Sequence, residues 1–308
     1  MSVLVADVGG TNARLAMVRD GIPTAIKRYD NDSHSSFYEV LQAYRDSIDS
    51  PPVEACCVAV AGPVNADHAR LTNRDWDFDV DDLRSVLGGP KHVRLTNDLV
   101  ALGYALPHLR AEQLDEIRPV PGPAANDQAL VAGAGTGFNA CLLKGTTVVE
   151  AELGHVSLPV SVADVLRAEL GGAAERFETN EDLFSGRGLA RLHQAISGTQ
   201  MSGPQILEQF AQSPGGCEAQ RTVLLSARLL GILTREMVLQ YLPLAGIHFA
   251  GGAARGILGS SAVSTFLAAF EQDGVLADQV ARVPIRLIAD DAAALIGAAH
   301  FVTSGKKG

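Results

Sequence analysis

The stretch LVADVGGTNARLAMV, residues 4–18, sets an acid and a glycine turn between two apolar runs. Each run has the composition of a buried β-strand, and Gly9 and Gly10 allow the chain to turn between them. A plain hairpin needs the glycines but has no need of Asp7 at the exit of a buried strand. A phosphate site can use both features, because glycine lets successive backbone N–H groups approach a phosphate closely.

The same layout occurs again at residues 129–144, ALVAGAGTGFNACLLK, and a third glycine turn, AGGAAR at residues 250–255, also follows an apolar run. A single turn of this kind would favour the hairpin interpretation. Three of them favour phosphate binding, and Thr11, Asn12 and Thr136 can add hydroxyl or amide donors. The repeated strand–turn–strand unit also points to an internal duplication.

The commoner phosphate motifs are excluded. The sequence contains no G-x-x-x-x-G-K-[ST] loop. The glycines at 133, 135 and 137 precede a predicted strand, whereas a dinucleotide-binding fingerprint needs a helix at that place.

The composition is that of an ordinary globular protein. The 308 residues suit two domains or one large one, and a sequence with 47% hydrophobic and 19% charged residues can bury a large core. The formal net charge of −10 argues against nucleic acid and against an anionic membrane surface as partners. It leaves a phosphate ligand open, because a few amides and one cation can hold phosphate locally.

The sequence shows no pattern for export or for a membrane anchor. Its four cysteines form no C-x-x-C pair, which favours reduced thiols in the core, and the N-terminus lacks the pattern of a signal peptide. The apolar stretch at residues 224–244 carries Arg228, Arg235 and Glu236 and is too polar to span a bilayer. We therefore expect a cytoplasmic protein with neither a membrane nor a nucleic-acid partner.

Predicted strands alternate with predicted helices along the chain, so the predicted class is α/β. Residues 245–272 are predicted as a strand, a Gly-Gly turn and one helix, and the proline-rich residues 118–128 as a loop. The segment LTNDLVAL, residues 95–102, predicts a strand that leads directly into a helix.

Asn97 and Asp98 stand at that junction of strand and helix. In one interpretation either residue simply caps the helix. In the other, Asp98 is a general base that takes a proton from a hydroxyl group, and Asn97 orients that hydroxyl. Phosphoryl transfer to an alcohol needs one such base, while positioning and charge neutralisation supply the rest.

Other acidic residues also allow two interpretations. Asp7 either hydrogen-bonds the backbone of its own turn or helps to bind Mg²⁺ beside phosphates. Glu152 and His155 either form an ordinary hydrogen-bonded pair or bind vicinal hydroxyls. Glu181 belongs to the run ETNEDLFSGRG, which as a bare charge run indicates a solvated face. No H-E-x-x-H or other zinc-binding spacing is present.

Motifs spread over the whole chain resemble those of bacterial glucokinases in the actin-like hexokinase–Hsp70 superfamily. They occur in the family's order: DVGGTNARLA, AGPV, LTNRDW, LTNDLVAL, GAGTGF, ELGHVSLP, EDLFSGRGL, FAGG and ADDAAALIGAAH. The resemblance implies a two-domain α/β, actin-like ATPase (ribonuclease H-like) fold with a cleft between the domains. It implies a small domain of residues 1–108 joined by a C-terminal helix at 290–308, a large domain of residues 109–289, and a homodimer.

The resemblance also implies ATP-dependent phosphorylation of glucose at its 6-hydroxyl, a reaction of glycolysis, with ATP and Mg²⁺ as cofactors and Asp98 as the catalytic base. The sugar ligands it implies are Asn97, Asp98, Glu152, His155 and Glu181. The nucleotide site it implies has three parts: Asp7, Gly9, Gly10, Thr11 and Asn12, with Asp7 near the metal; Gly135, Thr136 and Gly137; and Gly251 and Gly252.

Two positions depart from the family pattern. Leu153 stands where the family has a glycine in its Gly-Glu-Gly-Gly-His motif, and Asn139 replaces a glycine that is common after GTG. These departures concern sugar specificity and catalytic efficiency more than the type of reaction. The alternatives are a kinase for another hexose and a non-catalytic sugar-sensing regulator on the same fold. The presence of Asp98 and the acidic net charge favour an enzyme.

Overall fold

The computed structural model of the chain describes residues 1–212 and 215–304. The strands are β1 (Val3–Val8), β2 (Asn12–Arg19), β3 (Ile22–Asp30), β4 (Ala55–Val60), β5 (His68–Arg70), β6 (Asp77–Asp79), β7 (His92–Asn97), β8 (Leu114–Arg118), β9 (Gln128–Ala134), β10 (Phe138–Lys144), β11 (Thr147–Glu150), β12 (Gly246–Ala250) and β13 (Ile285–Ile288). The α-helices are α1 (Phe37–Asp46), α2 (Val80–Val86), α3 (Asp98–Ala105), α4 (Val160–Leu170), α5 (Asn180–Phe184), α6 (Gly186–Ser197), α7 (Gly203–Gln212), α8 (Glu218–Tyr241), α9 (Gly252–Leu258), α10 (Val263–Phe270), α11 (Ala277–Val280) and α12 (Ala293–Ser304).

The chain forms two compact units. Unit 1 comprises Met1–Arg110 together with the described residues from Asp290 onward, and unit 2 comprises Ala111–Ala289. The C-terminal helix predicted at 290–308 corresponds to α12 within unit 1, and residues 305–308 of that prediction lie outside the described residues.

The main sheet of unit 1 has the strand order β3-β2-β1-β4-β7. Strands β1, β4 and β7 run parallel, and β2 and β3 extend the sheet as antiparallel neighbours. Alternate residues of β1 point to opposite faces, so Leu4 and Ala6 join the core under α1, while Val3 and Val5 join the core under α12. Burial on both faces explains why this strand reads as a continuous apolar run.

The sheet of unit 2 has the strand order β11-β10-β9-β12-β13-β8. Its first five strands repeat the order and directions of the unit 1 sheet: β9, β12 and β13 are parallel, β10 pairs antiparallel with β9, and β11 pairs antiparallel with β10. Strand β8 adds one antiparallel edge. The two sheets therefore have the duplicated topology that the repeated strand–turn–strand units indicate in the sequence.

The structure differs from the sequence prediction at a few elements. The single helix predicted after the third glycine turn is two helices, α9 and α10, bent by 89° relative to each other. The break follows Gly259, and the Ser260 hydroxyl accepts a hydrogen bond from the backbone N–H of Ala262 there. Strands β8 and β11 were not predicted, because these edge strands are only partly buried and carry charged or polar residues.

Within residues 1–212 and 215–304, no helix is by itself long and apolar enough to cross a membrane. Helices α9 and α10, bent relative to each other, have the length and composition for it only when taken together.

Candidate active site

The first glycine turn, between β1 and β2, is held by a buried asparagine. The N–H of Gly9 donates to the Asn12 carbonyl oxygen across the turn at 3.0 Å. From the end of β3, the Asn31 side chain donates to the Gly9 carbonyl at 2.8 Å, and its backbone N–H donates to the Thr11 carbonyl at 2.9 Å. Asn31 is completely buried, so it fixes the shape of the turn from behind.

Arg74 holds the same turn from a distant part of the chain. Its Nε donates to the Gly10 carbonyl at 3.3 Å, its Nη1 donates to the Asn31 carbonyl at 3.1 Å, and its Nη2 pairs with Asp32. Sequence reasoning missed the roles of Asn31 and Arg74. The motif LTNRDW contains Arg74, but no local pattern indicates that it reaches back by more than sixty residues.

Asp7 lies at the carboxyl end of β1 and pairs with a neighbouring strand. Its carboxylate is 3.5 Å from Arg14 Nη1, and Nη2 of the same arginine is 3.5 Å from Asp291. The Asp7 side chain is only 16% exposed, and this burial raises the pKa of Asp7, although Arg14 opposes the rise. Within the described residues, the Asp7 carboxylate contacts Arg14 and not the backbone of its own turn. The structure therefore does not support the interpretation in which Asp7 only hydrogen-bonds that backbone.

Asp98 is the first residue of α3, directly after β7. Its Oδ1 accepts a hydrogen bond from the Leu99 N–H at 2.9 Å. Burial of the carboxyl, together with the nearby negative charge of Asp7, raises the pKa of Asp98 to about 7. The two acids come together because β1 and β7 both lie beside β4 and run parallel to it, so their carboxyl ends reach the same edge of the sheet.

Asn97 caps α3, as the first of the two interpretations predicts. Its Oδ1 accepts from the Leu99 N–H at 2.9 Å, and its Nδ2 donates to the Gly62 carbonyl at 3.3 Å. Both ends of the amide therefore have protein partners. These contacts fix the start of the helix and with it the position of Asp98, while a direct role of Asn97 in sugar binding stays a prediction.

Asp7 and Asp98, at this edge of the sheet, suit Mg²⁺ better than a metal ion whose ligands would all be protein side chains. In residues 1–212 and 215–304 there is no group of three or more His, Cys, Asp or Glu side chains that could hold a metal ion. Mg²⁺ commonly uses one or two carboxylates and completes its shell with water and substrate phosphates. Burial raises the pKa of both Asp7 and Asp98, the charge of Asp7 raises that of Asp98 further, and a divalent cation would relieve this repulsion.

The second glycine turn, between β9 and β10, is tight and backed by a helix. The Gly135 N–H donates to the Gly137 carbonyl at 2.9 Å, and the Gly186 N–H at the start of α6 donates to the Gly135 carbonyl at 2.7 Å. A Cβ on Gly137 would lie 2.6 Å from a carboxylate oxygen of Glu181, so a side chain there would displace that carboxylate. The turn is therefore fixed on both sides.

The third glycine turn, after β12, packs against the second. Gly251 has φ +95°, and a Cβ there would lie 2.5 Å from the Ala134 carbonyl oxygen. Gly186 and Gly203, at the starts of α6 and α7, also meet, since a Cβ on Gly203 would lie 3.0 Å from the Gly186 carbonyl oxygen. The structure thus adds Gly186 and Gly203 to this glycine junction. Their place at the first residue of a helix is the only sequence signal that could have found them.

Glu181 does not lie on a solvated face. It is in α5, whose first turn has a reciprocal capping box between Thr179 and Asp182. The Glu181 carboxylate accepts the Phe138 N–H at 3.1 Å with one oxygen and pairs with Arg187 at 2.9 Å with the other. Glu181 therefore contacts the strand that follows the second glycine turn, and it pairs with a cation, Arg187, that the sequence did not indicate.

Glu152 and His155 are open to solvent at the 3₁₀ turn Leu153–His155. Their side chains are 75% and 73% exposed, and His155 Nε2 lies 4.0 Å from Glu152 Oε2. The Glu152 carboxylate also accepts a hydrogen bond from Asn139 Nδ2 at 3.1 Å. Both departures from the family pattern thus concern this turn. Asn139 contacts Glu152 from β10, and Leu153, within the turn, buries its side chain in the core of unit 2.

The closest packing of the turn is made by Gly154. A Cβ on Gly154 would collide with the carbonyl oxygen of Phe138 at the start of β10. Leu153 is compatible with this approach, since its side chain packs into the core while its carbonyl accepts from Asn180 Nδ2 at 2.8 Å. The turn therefore keeps Glu152 and His155 on its surface despite the bulkier residue between them.

A sequence model of the family described as "Glucokinase" matches residues 4–305 of this chain. A glucokinase of Saccharophagus degradans is 30% identical over 315 residues, which cover 97% of this chain and 97% of that protein. The crystal structure of a glucokinase from an Antarctic psychrotroph has a TM-score of 0.81 and 27% identity, covering 98% of this chain and 99% of that one.

A more distant solved structure shares the fold. The ROK family glucokinase from Streptomyces griseus, in complex with glucose and AMPPNP, has a TM-score of 0.68 and 19% identity, and the match covers 99% of this chain and 100% of that one. Together with the two sheets of the chain, these likenesses confirm the predicted two-domain, actin-like α/β fold class.

Proposed function

Since the chain belongs to the glucokinase family, we propose that it transfers the γ-phosphoryl group of ATP to the 6-hydroxyl of glucose with Asp98 as the general base. Membership makes the protein an ATP-dependent hexose kinase rather than a non-catalytic sugar sensor. The observation that supports the assignment of the base is the position of Asp98. It is a carboxyl with a pKa raised to about 7, at the start of a helix and next to a second acid.

The chemistry follows from that pKa. A carboxyl base with a pKa near the working pH is about half ionised, and its carboxylate form is basic enough to accept a proton. Asp98 takes the proton of the sugar's 6-hydroxyl while the 6-oxygen attacks the γ-phosphorus of ATP. The new O–P bond forms as the bond between the γ-phosphorus and the ADP oxygen breaks. The hydrogen bonds of the Leu99 N–H to Asn97 and to Asp98 fix the start of α3 and the position of the Asp98 carboxylate.

The glycine turns bind the phosphates in this proposal. Backbone N–H groups of Gly10, Thr11 and Asn12, and of Thr136 and Gly137, neutralise charge on the triphosphate, and Gly251 and Gly252 adjoin the adenosine. Gly9 and Gly135 shape the two loops, because their N–H groups close the turns. Asp7 helps to hold Mg²⁺, which supplies charge neutralisation on the phosphates when it is bound. The complex of a related structure with AMPPNP supports ATP as the donor.

The sugar ligands in this proposal are Asn97, Asp98, Glu152, His155 and Glu181. Glu152 and His155 are exposed and available to hydroxyl groups. Glu181 already has two partners, but each carboxylate oxygen has two lone-pair directions and can accept a hydroxyl hydrogen as well.

Other parts of the proposal rest on the family. We infer a cytoplasmic enzyme of glycolysis that works as a homodimer, with no nucleic-acid and no membrane partner. The acidic net charge of −10 supports the absence of both anionic partners.

A sugar panel tests the substrate. Initial rates are measured with glucose, mannose, fructose and other hexoses in a coupled ADP-release assay, and the highest kcat/KM is expected for glucose. Equal or higher kcat/KM on mannose or fructose would replace glucose as the assigned substrate, and ADP release that does not depend on any sugar would remove the kinase assignment.

The pH dependence tests the base. The value of kcat/KM for glucose is expected to rise with pH through an apparent pKa near 7, because Asp98 must lose its proton to act. The residual activity of Asp7→Asn is expected to show this limb at lower pH, since one negative charge beside Asp98 is removed. An acid limb near the ordinary carboxyl pKa of 3.8 in the unmodified protein would contradict the assignment.

A further inference from the structure

The Asn139 side chain connects strand β10 to the 3₁₀ turn Leu153–His155 and to Glu152, which precedes that turn. Asn139 is the second residue of β10 and pairs with Gly133 of β9. Its Nδ2 donates to Glu152 Oε2 at 3.1 Å, and its Oδ1 accepts the N–H of Ala140 at 2.8 Å and of Gly154 at 3.4 Å. One amide therefore contacts both the backbone of the turn and the carboxylate that the turn carries.

The orientation of this amide is determined by its partners. A carboxylate only accepts hydrogen bonds and a backbone N–H only donates them, so Nδ2 must face Glu152 and Oδ1 must face Ala140 and Gly154. A flipped amide would lose all three contacts. The asparagine thus offers its donor to Glu152 in one defined direction.

Glu152 depends on this contact for its orientation. Its side chain is 75% exposed, and within residues 1–212 and 215–304 Asn139 provides its one hydrogen bond. The other neighbour, His155, lies 4.0 Å away. The bond engages Oε2, which leaves Oε1 of the same carboxylate for a ligand hydroxyl. A long exposed side chain that is already oriented loses less conformational entropy when a ligand binds.

We propose that Asn139 is a positioning residue that fixes the Glu152 carboxylate for the sugar and so sets the affinity for glucose; this rests on the proposed role of Glu152 as a sugar ligand. The resemblance to the family places a glycine at this position, which can make no such contact. Asn139 therefore gives this chain a means of orienting Glu152 that the family pattern lacks. The residue does not touch the phosphoryl group, so its effect belongs to sugar binding rather than to the chemical step.

The test is a double-mutant cycle between Asn139 and Glu152. Asn139→Ala is expected to raise KM for glucose about three- to tenfold, the range for losing one ordinary hydrogen bond, with kcat and KM for ATP within about twofold of the unmodified protein. Asn139→Asp should raise KM for glucose further, because a carboxylate then opposes Glu152. In a Glu152→Ala background, Asn139→Ala should add nothing.

The controls separate positioning from folding. Lys144→Ala removes another side-chain contact with a carboxylate, that of Asp127, at the opposite end of the same strand, and should leave KM for glucose unchanged. Asn139→Gly restores the family residue and serves if the alanine variant is poorly folded, as judged by its melting temperature.

The outcomes distinguish the two claims. If Glu152→Ala raises KM for glucose but the Asn139 variants leave it within twofold, or add independently to it, Asn139 has no positioning role and the proposed sugar site stands. If Glu152→Ala itself leaves KM unchanged, the sugar role of Glu152 fails and the role of Asn139 fails with it.

Discussion

Asp98→Asn is expected to lower kcat by about three orders of magnitude, within the range measured for removing a general base, while glucose still binds. Asparagine has the same shape and keeps an oxygen that can accept the Leu99 N–H, so α3 should start as before. It cannot take the proton of the 6-hydroxyl. Rates from the coupled assay and glucose binding by titration calorimetry measure the two effects separately.

The matched control is Asp291→Asn, which removes a part-exposed carboxylate that contacts Arg14 in the same unit. It should retain most of the activity, because its carboxylate is not the proposed base. Turnover of Asp98→Asn at the level of the unmodified protein would show that another group takes the proton.

The same substitution should change stability in a pH-dependent way. The folded-state pKa of Asp98, about 7, is above the ordinary value of 3.8. The contribution of protonated Asp98 to the free energy of unfolding is therefore fully present below pH 3.8 and is lost as the pH rises through 7. At pH 8 the unmodified protein carries a largely buried charge that the amide lacks, so Asp98→Asn should be more stable there, by up to about 4 kcal/mol. Urea unfolding at pH 5 and pH 8 measures this gain, which should be larger at pH 8.

Gly251→Ala is expected to destabilise the protein by about 3 kcal/mol or more and to weaken ATP binding. Its φ of +95° is a conformation that side-chain-bearing residues rarely adopt, and a Cβ would lie 2.5 Å from the Ala134 carbonyl oxygen and 2.9 Å from the Gly135 nitrogen. These neighbours are backbone atoms and cannot rotate away. Relieving the clash would separate the second and third glycine turns, so thermal unfolding and KM for ATP should both change.

The control is the adjacent residue, Gly252. It is the first residue of α9 and has no positive φ, and a Cβ added to it would meet no atom of the described residues within 4 Å outside its own helix backbone and chain neighbours. Gly252→Ala should therefore melt at the temperature of the unmodified protein or slightly above it, since alanine is the better helix former. Equal melting temperatures for the two variants would contradict the close packing of Gly251 against Ala134 and Gly135.

Much of the fold is predictable because its signals are local. The apolar runs of β1, β4, β9 and β12 are buried on both faces, and that burial leaves a continuous hydrophobic segment in the sequence. Edge strands β8 and β11 leave no such segment, since half of their residues face water. The break between α9 and α10 is equally hard to predict, because the apolar residues continue with only glycine and serine between them.

The candidate site divides in the same way. The sequence by itself determined which residues are proposed to carry chemistry: Asp98 at a strand–helix junction and glycines after three apolar strands. Those assignments need only the order of residue types along a few turns of chain.

The tertiary structure alone decided what each of these residues contacts. It pairs Glu181 with Arg187 and Glu152 with Asn139, and it raises the pKa of Asp98 through burial and through Asp7. It also shows that Gly251 has no room for a side chain, whereas the adjacent Gly252 has room for one. The physical reason is that packing and electrostatic interactions depend on distance in space, and the fold brings together atoms whose separation along the chain carries no sign that they will meet.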